Sequence, residues 1–315
     1  GMPIPFINAA RAHEKWFVNE ASVPPGAPDF YRDVDPWTVG AILAICSALA
    51  LGRVAEARFA AAPFVAPLRK LRLRLRRHAV SAVTVTTGFF LMFAAARGIL
   101  LADNLPAPTT AAGTVALAAE GMIGALLFVG WLVPLAALGL LVLYLSLFVF
   151  FAPFEAVDYL HYVGIAVFLI SWSKGRFSAA WLTGRESYGG TPLTNIGYRT
   201  LRIATGLALA WLALSKWLAP GLHFALLDIY AAWNPLVMLH SVDFNWLNRE
   251  NYVFLLAVVE MTFALFAITG TLTRLVAVML MPMFVASSVF IGVEDIAGHL
   301  PLIGIFFALA VADHE

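Results

Sequence analysis

The chain has 315 residues, of which 61% are hydrophobic and 12% charged, with a net charge of +1. A soluble domain is about half apolar and about a quarter charged, so these few charges could not cover a water-exposed surface, and a soluble globular class is excluded. The balanced charge gives no footing for a nucleic-acid partner, and the single cysteine, Cys46, excludes an intrachain disulfide, a dithiol redox pair and a CxxCH haem attachment.

The first 35 residues carry Arg11, His13, Glu14 and Lys15 and lack the apolar core of a signal peptide. Gly1 before Met2 reads as an expression scar. The first apolar block is Trp37 to Leu51, followed by a stretch ending in Arg69, Lys70, Arg72, Arg74, Arg76 and Arg77. On a helix, Leu68, Leu71 and Leu75 share a face opposite those cations, which predicts an interfacial helix held on anionic lipid at 69–77. Further apolar blocks lie at about 79–101, 111–132, 134–152, 156–173, 199–219, 251–270, 273–292 and 298–312. A bilayer span takes roughly 20 residues and must satisfy its own backbone, and these blocks lack the alternation of barrel strands. The sequence therefore predicts an all-α polytopic membrane protein with about nine transmembrane helices. Gly130–Pro134 and Gly270–Arg274 leave almost no loop and predict tight hairpins.

With nine spans, fourteen of the twenty Lys and Arg residues fall on one face: eight between Arg53 and Arg77, then Lys174, Arg176, Arg185, Arg199, Arg202 and Arg274. That face should be cytoplasmic, which puts the N-terminus outside and the C-terminus inside a plasma membrane of the bacterial inner type.

The blocks also repeat. At an offset of 140, Glu120 falls on Glu260, Gly130 on Gly270 and Gly164 on Gly304. Thr87-Gly88 precedes Arg97 much as Thr205-Gly206 precedes Lys216. Residues 79–173 and 199–315 thus read as two parallel four-helix units, because each holds an even number of spans. Residues 1–78 then form an outer tail, a first span and the basic segment, and 174–198 form a cytoplasmic linker. The second unit has a longer outer loop, 220–250, rich in His, Asp, Trp and Asn. Loops of that length are often functional.

The second unit resembles the DoxX family of four-span membrane proteins. The resemblance rests on Arg202-Ile-Ala-Thr-Gly206, Lys216, Glu260, Gly270, Arg274, His299 and Gly304. The first unit keeps Gly88, Arg97, Glu120, Gly130 and Gly164, but has Pro134 at the Arg274 position and no counterpart of Arg202. The resemblance implies a four-helix-bundle fold. It points less firmly to an activity, since the family includes the membrane subunits of a thiosulfate:quinone oxidoreductase alongside proteins that accompany redox enzymes.

Ionisable groups at bilayer depth are costly, by roughly 2.5–3.5 kcal/mol, and mark either fold-specifying pairs or functional sites. An antiparallel neighbour would bring Arg97 to Glu120 and Lys216 to Glu260. The outer histidines form a second constellation: His299 follows Asp295 by four residues, His161 follows Asp158 by three, and His240 precedes Asp243 by three. Such sets bind metal or simply face water. No phosphate loop, HExxH, GxSxG or GxGxxG is present. The leading expectation is a redox-associated membrane protein, a quinone-linked oxidoreductase or its membrane subunit, working with a redox partner protein. Lys216, Glu260, His240 and His299 would carry its chemistry in an outward pocket. Trp233, Trp246, Arg97 and Glu120 would line the binding site for a quinone. A small-solute carrier with its site between the units and a non-catalytic assembly subunit are the alternatives.

Overall fold

A computed structural model describes residues 36–60, 65–172, 192–229, 234–241, 243, 247–291 and 293–312. Among these residues the structure is helical, with one isolated bridge between Ile99 and Pro106. The helices are α1 (Pro36–Ala60), α2 (Val65–Arg76), α3 (Ala79–Arg97), α4 (Ala111–Val129), α5 (Val133–Phe150), α6 (Pro153–Val157), α7 (His161–Trp172), α8 (Pro192–Leu218), α9 (Gly221–Ile229), α10 (Pro235–His240), α11 (Arg249–Thr269), α12 (Thr273–Ile291) and α13 (Val293–Val311).

Six of them, α1, α3, α4, α5, α8 and α11, are long and apolar enough to cross a bilayer. Three further apolar stretches, His161–Trp172, Thr273–Ala286 and Ile296–Val311, are shorter. At 1.5 Å per residue, α7 rises only about 18 Å against a hydrocarbon core of about 30 Å. The chain is therefore a multi-pass helical membrane protein. Its outer faces suit lipid: on α5, Leu135, Leu138, Val142, Leu145 and Val149 form an exposed apolar stripe, which water would not tolerate on a stable monomer. α1 runs beyond the apolar block at its start, through Arg53, Glu56 and Arg58 to Ala60, because Ala, Glu and Arg all favour helix.

The helices follow one another around the bundle. α3 packs on α4, α4 on α5, α5 on α7, α7 on α8, α8 on α11 and α12 on α13, and α13 returns to α3. α3 also touches α7, and α13 touches α8, so these four helices meet in the middle. α1 lies against α11, and α2 lies against α13. Small residues allow this close packing. A Cβ at Gly88 on α3 would come 2.4 Å from the Phe128 backbone nitrogen and 2.6 Å from the Gly124 carbonyl oxygen on α4. Gly206 on α8 sits slightly less closely over Ala264 and Ile268 of α11, with the shortest contact at 2.7 Å. Gly164 of α7 faces Leu201 and Ala204 of α8, and Gly304 of α13 faces Val83 and Thr86 of α3.

Both tight hairpins form. Gly130 and Gly270 stop α4 and α11 in the left-handed region, at φ 73° and 84°, which a residue without a Cβ adopts freely. Leu132 and Leu272 follow, also left-handed. Two arginines close helix ends in the second half. Arg202 donates through Nη1 to the carbonyl oxygens of Ala267 and Ile268 at the end of α11, at 2.5 and 2.9 Å. Arg274 donates through Nε to the carbonyl of Ala312, just past α13, at 3.1 Å.

The segment 220–250 is not a plain loop. Leu222, Phe224, Ala225 and Leu227 bury the apolar side of α9. α10 starts where Asn234 caps Leu236 N–H and Pro235 fits the first turn.

Candidate functional site

Residues 98–107 set up the site. After α3 ends at left-handed Gly98, the chain doubles back, with Leu100 N–H donating to Leu105 carbonyl and Ala107 N–H to Gly98 carbonyl. Leu100, Leu101, Ala102 and Leu105 are all buried by this fold. Leu101 is left-handed at φ 60°, which costs a residue with a Cβ about 1 kcal/mol or more. Two side chains hold it there. Its N–H donates to Glu120 Oε1 at 2.8 Å, and its carbonyl accepts from the Tyr162 hydroxyl at 3.0 Å. Tyr159 donates to Asn104 in the same turn.

Against Leu101 lies a small, partly open pocket. One wall is the α6–α7 junction and the start of α7, with Asp158, Tyr159, His161 and Tyr162. A second wall is a stripe of α8, Thr205, Ala208, Leu209 and Leu212, spaced to share one helix face. The third is α13, with Gly298, His299 and Leu302. The polar groups sit inside. Asp158, His161, Thr205 and His299 are all buried. The His161 ring lies 4.5 Å from the Tyr162 ring, and the His299 ring 4.6 Å from the Phe284 ring. The Thr205 hydroxyl is fully buried and has no hydrogen-bond partner among the described residues. A buried hydroxyl without a partner is costly, and this one lies in the wall of a cavity. An imidazole offers one donor and one acceptor when uncharged, a hydroxyl offers both, and a carboxylate accepts. The set can bind a compact polar group from several sides, while Leu101, Ala208 and Leu209 provide apolar walls for a ring.

No family model, no curated protein and no solved structure matches this chain. The site is therefore read from its own geometry.

The residues expected to act together from their sequence pattern separate in space. Lys216 and Glu260 do meet, with Lys216 Nζ 2.7 Å from Glu260 Oε2 across α8 and α11, but neither lines the pocket. Glu120 is fully buried, yet its contact is the Leu101 amide and not Arg97. Arg97 lies exposed at the end of α3, its guanidinium 5.8 Å from the Phe93 ring. The difference follows from the turn at 98–107, which folds back and puts a backbone N–H where the cation was expected. His299 lines the pocket. His240 does not: it is exposed on α10, with Nε2 3.0 Å from the Leu247 carbonyl oxygen. Trp233 and Trp246 lie outside the described residues. No group of three or more His, Cys, Asp or Glu side chains is placed to hold a metal ion among the described residues.

Of the lining residues only His299 belongs to the expected site, which leaves out the buried polar residues Asp158, His161 and Thr205. The Asp158–His161 spacing and the Thr205-Gly206 pair are both visible in the sequence. The packing of α7 on α8, which brings them together, is not.

Proposed function

We propose that the chain is a redox-associated membrane protein that binds a quinone head group in the pocket between α7, α8 and α13. The observation that carries this reading is the buried, unpartnered hydroxyl of Thr205, a residue that lines the same cavity as His161, His299 and Asp158. Quinone carbonyls accept hydrogen bonds, which Thr205 and the imidazoles can donate, and a quinol hydroxyl donates, which an imidazole or Asp158 can accept. The apolar walls suit the ring. A partner protein would exchange electrons with the quinone.

The reading includes the DoxX-like organisation in two parallel four-helix units, 79–173 and 199–315, within a nine-span chain. Matching contacts support it. Gly88 meets Gly124 and Phe128, while Gly206 meets Ala264 and Ile268, the two partner pairs standing 140 residues apart. The left-handed turns at Gly130 and Leu132 recur 140 residues later at Gly270 and Leu272. An inner plasma membrane of the bacterial type, a cytoplasmic C-terminus and anionic lipid at 69–77 belong to the same reading and rest on the Lys and Arg distribution.

The test is titration of the purified protein in lipid nanodiscs with decylubiquinone, read by quenching of tryptophan fluorescence. Saturable quenching is expected, weakened at least tenfold in Thr205→Val and His161→Phe. Quenching that does not saturate, or that both variants retain in full, overturns the reading. One observation favours a second reading, that of a small-solute carrier: the pocket lies between the two proposed units and not inside one. Flux of a labelled solute into proteoliposomes, without chemical change, would select it.

A further inference from the structure

We infer that the pocket is loaded sideways from the bilayer, through a portal between α8 and α13, and that its ligand is a lipid-soluble amphiphile with a compact hydrogen-bonding head. The inference rests on the pocket being a ligand site, as proposed above, but not on the ligand being a quinone.

The lining divides by exposure. Nine of the twelve lining residues are buried, and the three that are half-exposed are Leu212, Gly298 and Leu302. These three define the mouth. Leu212 is on α8 and the other two are on α13, two helices that touch only lightly. Thr205, His161, His299 and Asp158, by contrast, are all among the buried lining residues. A polar interior behind an apolar rim is poor for a hydrated solute, which must shed its water at a rim that gives no hydrogen bond in return. It suits a molecule whose head is polar and whose tail stays in hydrocarbon.

Depth points the same way. Leu212 stands six residues before the end of α8 at Leu218, so the mouth lies about 9 Å along the helix from that end. On α13, Gly298 and Leu302 stand five and nine residues from the helix start at Val293, so that side of the mouth lies about 8 to 14 Å along the helix. A mouth at those positions opens beside the membrane and not at its surface. Trp211, half-exposed next to Leu212, is stacked on Phe154 of α6 at 6.0 Å. This adds a further apolar flank to the rim.

The experiment uses the full chain in nanodiscs and four probes: decylubiquinone, tail-less ubiquinone-0, 4-decylphenol and a decylphenol carrying a photoreactive diazirine in its tail. Affinities are expressed per bilayer concentration. Leu302→Trp and Leu212→Trp narrow the rim, and Leu135→Trp, on the exposed stripe of α5, is the control. Each rim variant that stays monodisperse is expected to slow association of decylubiquinone and 4-decylphenol at least tenfold, with Leu135→Trp unchanged. In the unmodified protein, the diazirine should cross-link to α8 and α13 around Leu212 and Leu302, which keeps the test decisive even if the variants fail to fold. Unchanged association in the rim variants, or cross-links found only elsewhere, overturns the portal. If decylphenol obeys the rim and decylubiquinone does not bind, the portal stands and the quinone reading falls. If both quinones bind regardless of tail and rim, the quinone reading stands and the portal falls. Binding by none of the probes overturns both.

Discussion

Lys216 and Glu260 form an ion pair at 2.7 Å between α8 and α11, their side chains 4% and 18% exposed. Removing one partner from such a pair strands the other charge in a poor solvent, at about 3–5 kcal/mol, whereas removing both is often nearly neutral. Lys216→Met and Glu260→Leu are each expected to lower the unfolding midpoint in detergent sharply, and the double variant to recover most of the loss. Because the pair does not line the pocket, the double variant should also keep its ligand affinity. A folded double variant that loses binding would return the pair to the site.

Glu120 stands where Glu260 stands in the 140-residue register, but does different work. Its Oε1 accepts the Leu101 N–H at 2.8 Å and so helps hold a left-handed leucine in the pocket wall. Glu120→Gln keeps a carbonyl acceptor at that position, while Glu120→Leu leaves a buried amide unsatisfied, at about 1–3 kcal/mol. The glutamine variant is expected to be the more stable of the two in thermal unfolding. The leucine variant should also weaken pocket binding, since Leu101 would relax from its left-handed conformation. Equal stability of the two would show that the hydrogen bond contributes little.

Arg202 and Gly270 act as one device. The guanidinium fills the space over Gly270 while satisfying the last carbonyls of α11. A Cβ on Gly270 would lie 2.7 Å from Arg202 Nη1, on a backbone at φ +84°. Gly270→Ala is expected to destabilise by about 1 kcal/mol or more through backbone strain alone, plus the displacement of Arg202. In Arg202→Met the steric part disappears, so the two losses should be less than additive in a double-mutant cycle. Strict additivity would separate them.

The membrane class was legible because charge fraction and block length are bulk properties, insensitive to how helices pack. The hairpins at Gly130 and Gly270 were legible because a left-handed stop leaves a glycine in the chain. The Lys216–Glu260 pair followed from antiparallel neighbours at matched depth. The same argument failed for Arg97 and Glu120, because residues 98–107 fold back on themselves and supply a backbone donor, which no spacing rule reveals. The pocket was hidden for a related reason. Its walls come from helices far apart in sequence, and Thr205, one of several hydroxyls on α8, becomes conspicuous only when it is seen to lack a partner. Arg202 and Arg274 stood out in the residue pattern, and both donate to carbonyls at helix ends.

Helix contact in the inner bundle depends on glycines whose surroundings differ sharply, and this gives a test with an internal control. At Gly88 a Cβ would meet backbone atoms of α4 at 2.4 and 2.6 Å, contacts that no side-chain rotation relieves. Gly88→Ala therefore has to push α3 and α4 apart, and it is expected to lower stability by several kcal/mol or prevent folding. Gly206→Ala meets Ile268 Cγ1 at 2.7 Å and backbone at 2.9 and 3.0 Å, contacts longer than those at Gly88, so a smaller loss is expected. At Gly40, on α1, a Cβ would have nothing within 4 Å. There, alanine gains helix propensity worth up to about 1 kcal/mol without a clash. The order Gly40→Ala at or above the parent protein, then Gly206→Ala, then Gly88→Ala is what thermal unfolding in detergent should return. If Gly88→Ala unfolds with Gly40→Ala, α3 and α4 do not approach as closely as these distances require, and the wall that positions Leu101 through Glu120 loses its support.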